Sequence, residues 1–281
     1  MARLAVNGAA LNVETSGAGP ALVLLHGFTG SAQSWAPHIP ALSAGHTTIA
    51  VDMLGHGGSD APADADRYRI EHAASDILAV LDRLGVGRAV VLGYSMGGRV
   101  ALYLGTVAPD RAAALVVESG SPGIADPAAR RARAAQDAAL AEVIERDGVA
   151  AFVDRWERLP LFATQAGLPH EARTRLRAQR LRHPAHGLAN SLRGLGQGRQ
   201  PSLWERLPRL ATPTLVVAGA LDATYAARAR EMCRLIPDAQ LVVVPDAGHT
   251  VHLERPDAFQ RGVLEFLARV RASTEHAARG C

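Results

Sequence analysis

The 281-residue sequence contains no lysine, only two cysteines, and few aromatic residues, which make up 4% of the chain. Two cysteines, Cys233 and Cys281, exclude a disulfide framework, and no CxxC pair or Cys/His cluster has the spacing of metal ligands. We therefore expect no metal or other cofactor and a reducing, cytoplasmic location. No apolar run reaches the roughly 18 residues that a membrane span requires, and we expect no signal peptide at the N-terminus.

The charge of the chain is nearly balanced, because 30 arginines face 27 acidic residues and the formal net charge is +3. Together with 48% apolar residues, this composition excludes a disordered chain. Arginine binds a carboxylate through two hydrogen bonds better than lysine does. The use of arginine as the basic residue therefore bears on which ligand the chain binds.

Short apolar runs that alternate with amphipathic patterns predict an α/β fold. A hairpin is predicted over residues 1–15, with its turn at Asn7-Gly8. Runs typical of strands buried on both faces lie at residues 21–25, 47–51, 88–92, 113–117, 214–218 and 240–244. Helical patterns lie at residues 70–84, 96–107, 223–235 and 256–270. This order predicts a doubly wound, mostly parallel sheet, with functional loops at the carboxyl ends of its strands.

Residues 124–207 interrupt this alternation, since they are helical in pattern and contain no strand-like run. Within them, residues 128–199 contain 13 arginines and 7 acidic residues, a balance of +6. We predict a helical cap over 124–207, a core of residues 1–123 and 208–271, and a flexible tail over 272–281. A solvated helical face without a specific partner is the alternative. No aromatic-rich motif accompanies the arginines, so we expect no nucleic-acid partner.

Gly93-Tyr94-Ser95-Met96-Gly97 matches the pattern G-x-S-x-G between a predicted strand and a predicted helix. That context is the one a nucleophile elbow requires, because glycines permit the tight turn that presents the serine hydroxyl. A serine needs a histidine to take its proton and a carboxylate to hold the histidine.

Asp222 and His249 each follow a later predicted strand, which gives the chain order Ser, Asp, His and places all three residues at one sheet edge. We predict that Ser95, His249 and Asp222 form a catalytic triad. The alternatives are a helix N-cap for Asp222 and a backbone-bonded loop position for His249. The neighbouring His252 is not assigned this role.

Two backbone amides, those of Phe28 and Met96, are predicted to form an oxyanion hole, since Phe28 follows the first buried strand and Met96 follows Ser95. The glycine-rich loop over residues 52–59 is predicted to shape the sheet edge without taking part in the chemistry.

These motifs resemble the α/β-hydrolase superfamily over nearly the whole chain. They are Leu25-His26-Gly27-Phe28, Asp52-x-x-Gly55-His56-Gly57-x-Ser59, the Ser95 elbow, Gly219-x-x-Asp222 and Gly248-His249. Further segments resemble the menaquinone-pathway family of 2-succinyl-6-hydroxy-2,4-cyclohexadiene-1-carboxylate synthases. They are residues 93–99, 117–123, the helix of Arg131 and Arg133, and residues 156–162 and 187–192.

The resemblance implies a lyase that eliminates pyruvate from a cyclohexene with three carboxylates, with Ser95 as a base and no covalent intermediate. It implies substrate contacts by Tyr94, Arg99, Arg133 and Trp156. A further cap arginine is expected, for which Arg180 is chosen although Arg177 and Arg182 fit nearly as well. Arg99 follows Ser95 by one helical turn, which independently places it on the same face.

Three of these substrate contacts have a structural alternative: a salt bridge for Arg99, a solvated helix surface for Arg133, and cap packing for Trp156. A carboxylesterase or C–C bond hydrolase with the same triad is the second functional hypothesis, and a non-catalytic binding protein on this scaffold is the third. We expect a small polycarboxylate as the binding partner, and a monomer or weak homo-oligomer.

Overall fold

The computed structural model describes residues 2–279 and the side chains of residues 2–273. Its strands are β1 (Ala2–Val6), β2 (Ala9–Ser16), β3 (Ala21–Leu25), β4 (Thr47–Val51), β5 (Ala89–Tyr94), β6 (Ala112–Glu118), β7 (Thr214–Gly219) and β8 (Ala239–Val244). They form one sheet in the order β1-β2-β4-β3-β5-β6-β7-β8. The six strands from β3 onward are parallel, whereas β1 and β2 pair in antiparallel fashion at one edge. The predicted mostly parallel α/β sheet is confirmed.

The hairpin of β1 and β2 turns at Asn7 and Gly8, which both have positive φ, +47° and +80°. Two such residues in sequence make the type I′ turn that suits the twist of a two-residue hairpin. The hairpin that the Asn-Gly pair predicts is present, and it covers the edge of the sheet beside β4.

The predicted burial of the last strand on both faces is wrong. Leu241 is 37% exposed, because β8 is the other edge of the sheet and pairs only with β7 among the described residues. A short apolar run alone does not distinguish an edge strand from a central one.

Nine α-helices accompany the sheet in the described part of the chain. They are α1 (Ile39–Leu42), α2 (Ile70–Arg83), α3 (Met96–Val107), α4 (Pro127–Trp156), α5 (His170–Leu181), α6 (Ala185–Leu195), α7 (Ala223–Leu235), α8 (Val251–Glu254) and α9 (Pro256–Arg279). Short 3₁₀ helices lie at Ala32–Trp35, Ala65–Tyr68, Pro109–Arg111, Pro160–Gly167 and Trp204–Arg209. Helices α2, α3 and α7 pack on one face of the sheet, and α9 packs on the other with Trp35. The parallel strands from β3 to β7 are therefore buried on both faces, whereas the edge strand β8 is not.

The helices from α4 to α6 lie between β6 and β7, where the sequence predicts a cap. Helix α4 is interrupted at Gly148, whose φ of +81° is outside the helical region. Its two parts pack against α6 around a small apolar core that includes Ile144, Phe152 and Leu188. The cap thus has its own packing, and it rises from the edge at which the parallel strands end. The boundaries proposed for it, 124–207, stay a prediction.

Helix α9 extends beyond the predicted end at residue 270 and continues to Arg279. Alanine and arginine, which are frequent in this stretch, are strong helix formers and permit the extension. The helix therefore includes most of the predicted tail over 272–281, of which residues 280 and 281 lie outside the described residues.

Candidate active site

Ser95 lies in a strained turn between β5 and α3. Its φ of +49° and ψ of −101° are unusual for a residue with a side chain. The turn is held by a hydrogen bond from the Ser95 amide to the Glu118 carbonyl, 2.8 Å long. A Cβ at Gly97 would overlap the Leu25 carbonyl, and a Cβ at Gly93 would overlap the backbone of Gly97. The two glycines of the motif are thus required by the close approach of α3 to β3 and β5.

Three side chains that are far apart in sequence form one hydrogen-bonded chain. His249 Nδ1 lies 2.7 Å from Asp222 Oδ2, and His249 Nε2 lies 3.0 Å from Ser95 Oγ. Neutral His249 can therefore donate to the carboxylate through Nδ1 and accept the serine proton at Nε2. The second oxygen of Asp222 accepts the Tyr225 amide at 3.1 Å. Asp222 thus caps helix α7 and holds the imidazole at the same time.

His252 is occupied elsewhere. Its Nδ1 lies 2.9 Å from each carboxylate oxygen of Glu118, and its backbone carbonyl lies 3.0 Å from His38 Nε2. Both Glu118 and His252 are buried. This pair packs behind Tyr94, whose ring centroid is 4.8 Å from that of His252, so the pair supports the wall of the site.

The amides of Phe28 and Met96 donate no hydrogen bond to any residue that the structure describes. Their availability fits the predicted oxyanion hole. The loop of Phe28 is held by His26, whose Nδ1 donates to the Gly27 carbonyl at 2.8 Å and whose Nε2 accepts the Met53 amide at 3.0 Å. The neutral tautomer of His26 is therefore defined by its two partners.

A second histidine, His183, connects the cap to this loop. Its Nδ1 accepts the Gly57 amide at 3.1 Å, and its Nε2 donates to the Thr29 carbonyl at 2.9 Å. His56 lies between His183 and His26, with ring centroids 5.2 and 5.0 Å away. All three imidazoles are buried, and burial lowers the pKa of each.

We expect the free energy of unfolding to fall between pH 6.5 and pH 4, in part because burial lowers the pKa of His183 from 6.5 to about 4. In that range the unfolded chain binds a proton that the folded chain does not bind, so acid favours unfolding. His183→Gln keeps one donor and one acceptor without a titrating group. It should reduce the loss between pH 7 and pH 5 by about 1–2 kcal/mol in urea unfolding.

The matched control for this measurement is His72→Gln, since His72 is exposed. The control should leave the pH dependence of unfolding unchanged. An equal slope in the His183→Gln chain and the wild type would contradict the role given to His183.

Above Ser95 and His249 the core and cap border a cleft of about 110 Å³ that is partly open to solvent. Every residue of the predicted site except Asp222 lines it. These lining residues are Ser95, His249, Phe28, Met96, Tyr94, Arg99, Arg133, Trp156 and Arg180.

Arg99 is a buried cation without an ionic partner among the described residues. Its side chain lies in the cleft with 7% of the residue exposed, and NH1 donates to Gln200 Oε1 at 3.3 Å. It forms no salt bridge with any described carboxylate. The alternative role of Arg99, a structural salt bridge, is therefore not observed among the described residues. Burial lowers the pKa of Arg99 to about 10, an effect that Tyr225 and Asp137 partly offset. The guanidinium is still charged at neutral pH.

Arg133 lies at the rim of the same cleft. Its Nε donates to Asp137 at 2.8 Å and its NH1 donates to Gln197 Oε1 at 2.9 Å, while 41% of its side chain is exposed. Arg133 is thus both solvated and part of the cleft wall.

Of the three candidates for a further cap arginine, Arg177, Arg180 and Arg182, it is Arg180 that lines the cleft. Only 4% of it is exposed, and it donates to Glu157 Oε1 and to Gln165 Oε1, each at 3.0 Å. Its Nε has no hydrogen-bond partner among the described residues. Arg177 instead pairs with Asp154 and Glu157. Arg182 lines a neighbouring groove between cap and core.

The aromatic residues of the predicted site form one wall of the cleft. The Trp156 ring centroid is 5.3 Å from that of Phe28, and its indole Nε1 is buried without a described partner. The Tyr94 hydroxyl lies 2.9 Å from Thr250 Oγ1, and burial raises its pKa. Trp156 therefore packs in the cap and presents a free donor as well.

The polar residues absent from the sequence prediction include Gln165, Gln197 and Tyr225, which line the cleft, and Gln200, which accepts a hydrogen bond from Arg99. Gln165 donates to Thr250 Oγ1 at 2.9 Å and so connects Arg180 to the loop of His249. None of the four belongs to a local motif. Only the position of Tyr225, three residues after Asp222, could have indicated its place near the triad.

No group of three or more potential metal ligands is found in the described part of the chain. Among residues 2–279, no helix has both the length and the apolar character needed to cross a membrane.

Comparison with known proteins agrees with this geometry. Residues 20–256 match the α/β hydrolase fold family. The chain is 42% identical, over 92% of its length and 93% of the relative, to a Bacillus subtilis (strain 168) protein with the provisional name 2-succinyl-6-hydroxy-2,4-cyclohexadiene-1-carboxylate synthase. It is 32% identical to the synthase of that name from Serratia proteamaculans (strain 568), over 88% of this chain and 93% of the relative.

A solved structure described as MenH from S. aureus superposes with a TM-score of 0.88 at 34% identity, over 93% of this chain and 98% of that one. The chain therefore belongs to the α/β-hydrolase fold family and, within it, to the family of 2-succinyl-6-hydroxy-2,4-cyclohexadiene-1-carboxylate synthases.

Proposed function

We propose that this chain is a lyase of menaquinone biosynthesis. It eliminates pyruvate from 2-succinyl-5-enolpyruvyl-6-hydroxy-3-cyclohexene-1-carboxylate and forms 2-succinyl-6-hydroxy-2,4-cyclohexadiene-1-carboxylate. Ser95 acts as the base, and His249 and Asp222 activate it. No cofactor is needed, because the electron pair of the broken C–H bond stays in the ring as a new double bond and enolpyruvate departs with the electrons of its own C–O bond.

The observation that carries this proposal is the burial of the Arg99 guanidinium in the cleft. A buried guanidinium that has no ionic partner in the part of the chain that the structure describes is costly to the folded chain, and an anionic ligand removes much of that cost. Arg99 lies one helical turn after Ser95 in the sequence, so an anion that binds to Arg99 lies beside the reactive hydroxyl. Arg133 and Arg180 line the same cleft, which favours a substrate with several carboxylates over a neutral ester.

The reaction begins at the ring carbon beside the succinyl ketone. Ser95 Oγ removes the proton from this carbon while His249 Nε2 accepts the serine proton. Asp222 stabilises the imidazolium that forms. The negative charge that develops on the ketone oxygen is stabilised by the amides of Phe28 and Met96.

The electron pair of the broken C–H bond then forms a new double bond in the ring. The existing ring double bond moves by one position, and the C–O bond to the enolpyruvyl group breaks. Enolpyruvate leaves with the electrons of that bond and becomes pyruvate when its methylene carbon takes up a proton. No bond forms between Ser95 and the substrate, and no water is consumed.

Tyr94, Trp156, Arg99, Arg133 and Arg180 are the proposed substrate-binding residues. We further propose that the enzyme is cytoplasmic, binds a small polycarboxylate as a monomer or weak homo-oligomer, and has no nucleic-acid partner.

The proposal is tested by pyruvate release from the enolpyruvyl substrate, followed through NADH oxidation by lactate dehydrogenase. We expect kcat/KM to exceed that for 4-nitrophenyl acetate by at least about 100-fold, since two or more arginine–carboxylate contacts favour the charged substrate. Hydrolysis of the ester with accumulation of an acyl-enzyme, and no pyruvate release, would instead identify a carboxylesterase or C–C bond hydrolase. Ligand binding with neither activity would indicate a binding protein.

A further inference from the structure

The side-chain amide of Gln197 lies between Arg133 and Tyr225. Its Oε1 is 2.9 Å from Arg133 NH1, and its Nε2 is 2.7 Å from the Tyr225 hydroxyl oxygen. An arginine has donors only, so the amide oxygen must face Arg133. The amide orientation is thereby assigned from its partners, and the NH₂ group must face Tyr225.

The direction of this hydrogen bond determines what the phenol can do. Because Gln197 Nε2 donates to the Tyr225 oxygen, the phenol uses a lone pair in that contact and keeps its own proton. No other described residue forms a hydrogen bond with the Tyr225 hydroxyl. Tyr225 lines the cleft, so the spare O–H donor is available to a ligand there.

The ring of Tyr225 is held in place on two sides. Its centroid is 4.5 Å from that of His249, in an edge-on arrangement, and the Arg228 guanidinium lies 4.9 Å from the ring centroid on its face. The Tyr225 amide is bound by Asp222. A donor fixed in this way loses little conformational entropy when it binds a ligand.

The charges beside the phenol favour an anion. Arg99, Arg133 and Asp137 all line this end of the cleft and give a balance of +1. Asp137 accepts a hydrogen bond from Arg133 and interacts electrostatically with Arg99. Its negative charge offsets one of the two positive charges, so one positive charge is left for a ligand. One carboxylate satisfies this balance and has lone pairs left for a further donor.

We propose that Tyr225 is a further substrate-binding residue, whose phenol O–H donates to the substrate carboxylate that Arg99 and Arg133 bind. This inference rests on the function proposed above. Gln197 is the positioning residue, since it turns the phenol proton toward the cleft.

The test measures substrate binding in a Ser95→Ala background, which leaves the substrate unreacted. Tyr225→Phe removes the donor but keeps the ring against His249, and it should raise the calorimetric Kd about tenfold. Gln197→Leu removes the amide that turns the phenol proton toward the cleft and adds no charge, and it should also raise the Kd. The factor by which the Kd rises in the double variant should be smaller than the product of the factors for the two single variants, because both changes remove the same hydrogen bond.

Turnover gives a second measure. In the chain that retains Ser95, Tyr225→Phe should raise KM about tenfold and change kcat by less than about threefold, as expected when a ground-state contact is lost. Tyr103→Phe is the matched control, since Tyr103 is not part of the cleft lining, and both constants should stay at the wild-type values.

The outcomes separate this inference from the proposed function. An unchanged Kd for Tyr225→Phe, or losses that multiply in the double variant, would overturn the role of Tyr225 alone. If the Ser95→Ala chain does not bind the substrate at all, the proposed function fails, and the role of Tyr225 fails with it.

Discussion

Replacing Ser95 with alanine is expected to lower kcat for pyruvate release by about 1000-fold or more, as loss of the reactive hydroxyl does in other triad enzymes. Without the hydroxyl, His249 Nε2 has no group through which to act, because the serine oxygen is its partner at 3.0 Å. The arginines and the free amides remain in place, so the KM should change little. Stopped-flow measurement of pyruvate release with wild type and variant checks both constants.

The control for this variant is Ser75→Ala, since Ser75 lies on the exposed side of α2, and it should retain wild-type kinetics. Urea unfolding should show that Ser95→Ala is as stable as the wild type. A kcat within about tenfold of wild type would remove Ser95 from the mechanism.

Arg99→Ala is expected to lower kcat/KM by about 100-fold, because a charge-assisted contact to a carboxylate contributes about 1.5–3 kcal/mol. Its effect on folding should be much smaller. Arg99 has a single hydrogen bond, to Gln200, and no ionic partner among the described residues, so its removal breaks no ion pair and relieves the burial of a charge. Arg99→Met, which keeps the volume of the stem, separates the loss of charge from the loss of packing.

Arg131→Ala is the matched control, because Arg131 is an exposed arginine of the cap. It should change kcat/KM by less than about twofold. If Arg99→Ala leaves the kinetics unchanged and instead destabilises the chain, the guanidinium serves the fold and the polycarboxylate assignment loses its main support.

The parts of the structure that were predicted correctly are those that depend on local patterns. The buried runs at Ala21–Leu25 and Thr47–Val51 were predicted with their full bounds, as were the helices Met96–Val107 and Ala223–Leu235. The geometry of the triad follows from topology, since parallel strands β5, β7 and β8 bring the loops after them to one edge of the sheet.

The features that were missed depend on contacts between distant segments. The exposure of Leu241 follows from the position of β8 in the sheet, and the connection from Gln197 to Tyr225 joins the cap to helix α7. A single residue in a loop does not indicate its partner in another element. For the same reason the spacing of the cap arginines left Arg177, Arg180 and Arg182 open, whereas burial and the cleft lining favour Arg180.

The central claim is that this triad removes a proton and expels a leaving group, whereas most triads of this fold would add water. The mass of the ring product tests it most directly. An elimination predicts a ring product equal in mass to the substrate minus pyruvate, formed in equal amount with pyruvate and without incorporation of label from ¹⁸O-water into the ring. A ring product heavier by one water, with the solvent label on the ring, would show hydrolysis and contradict the mechanism.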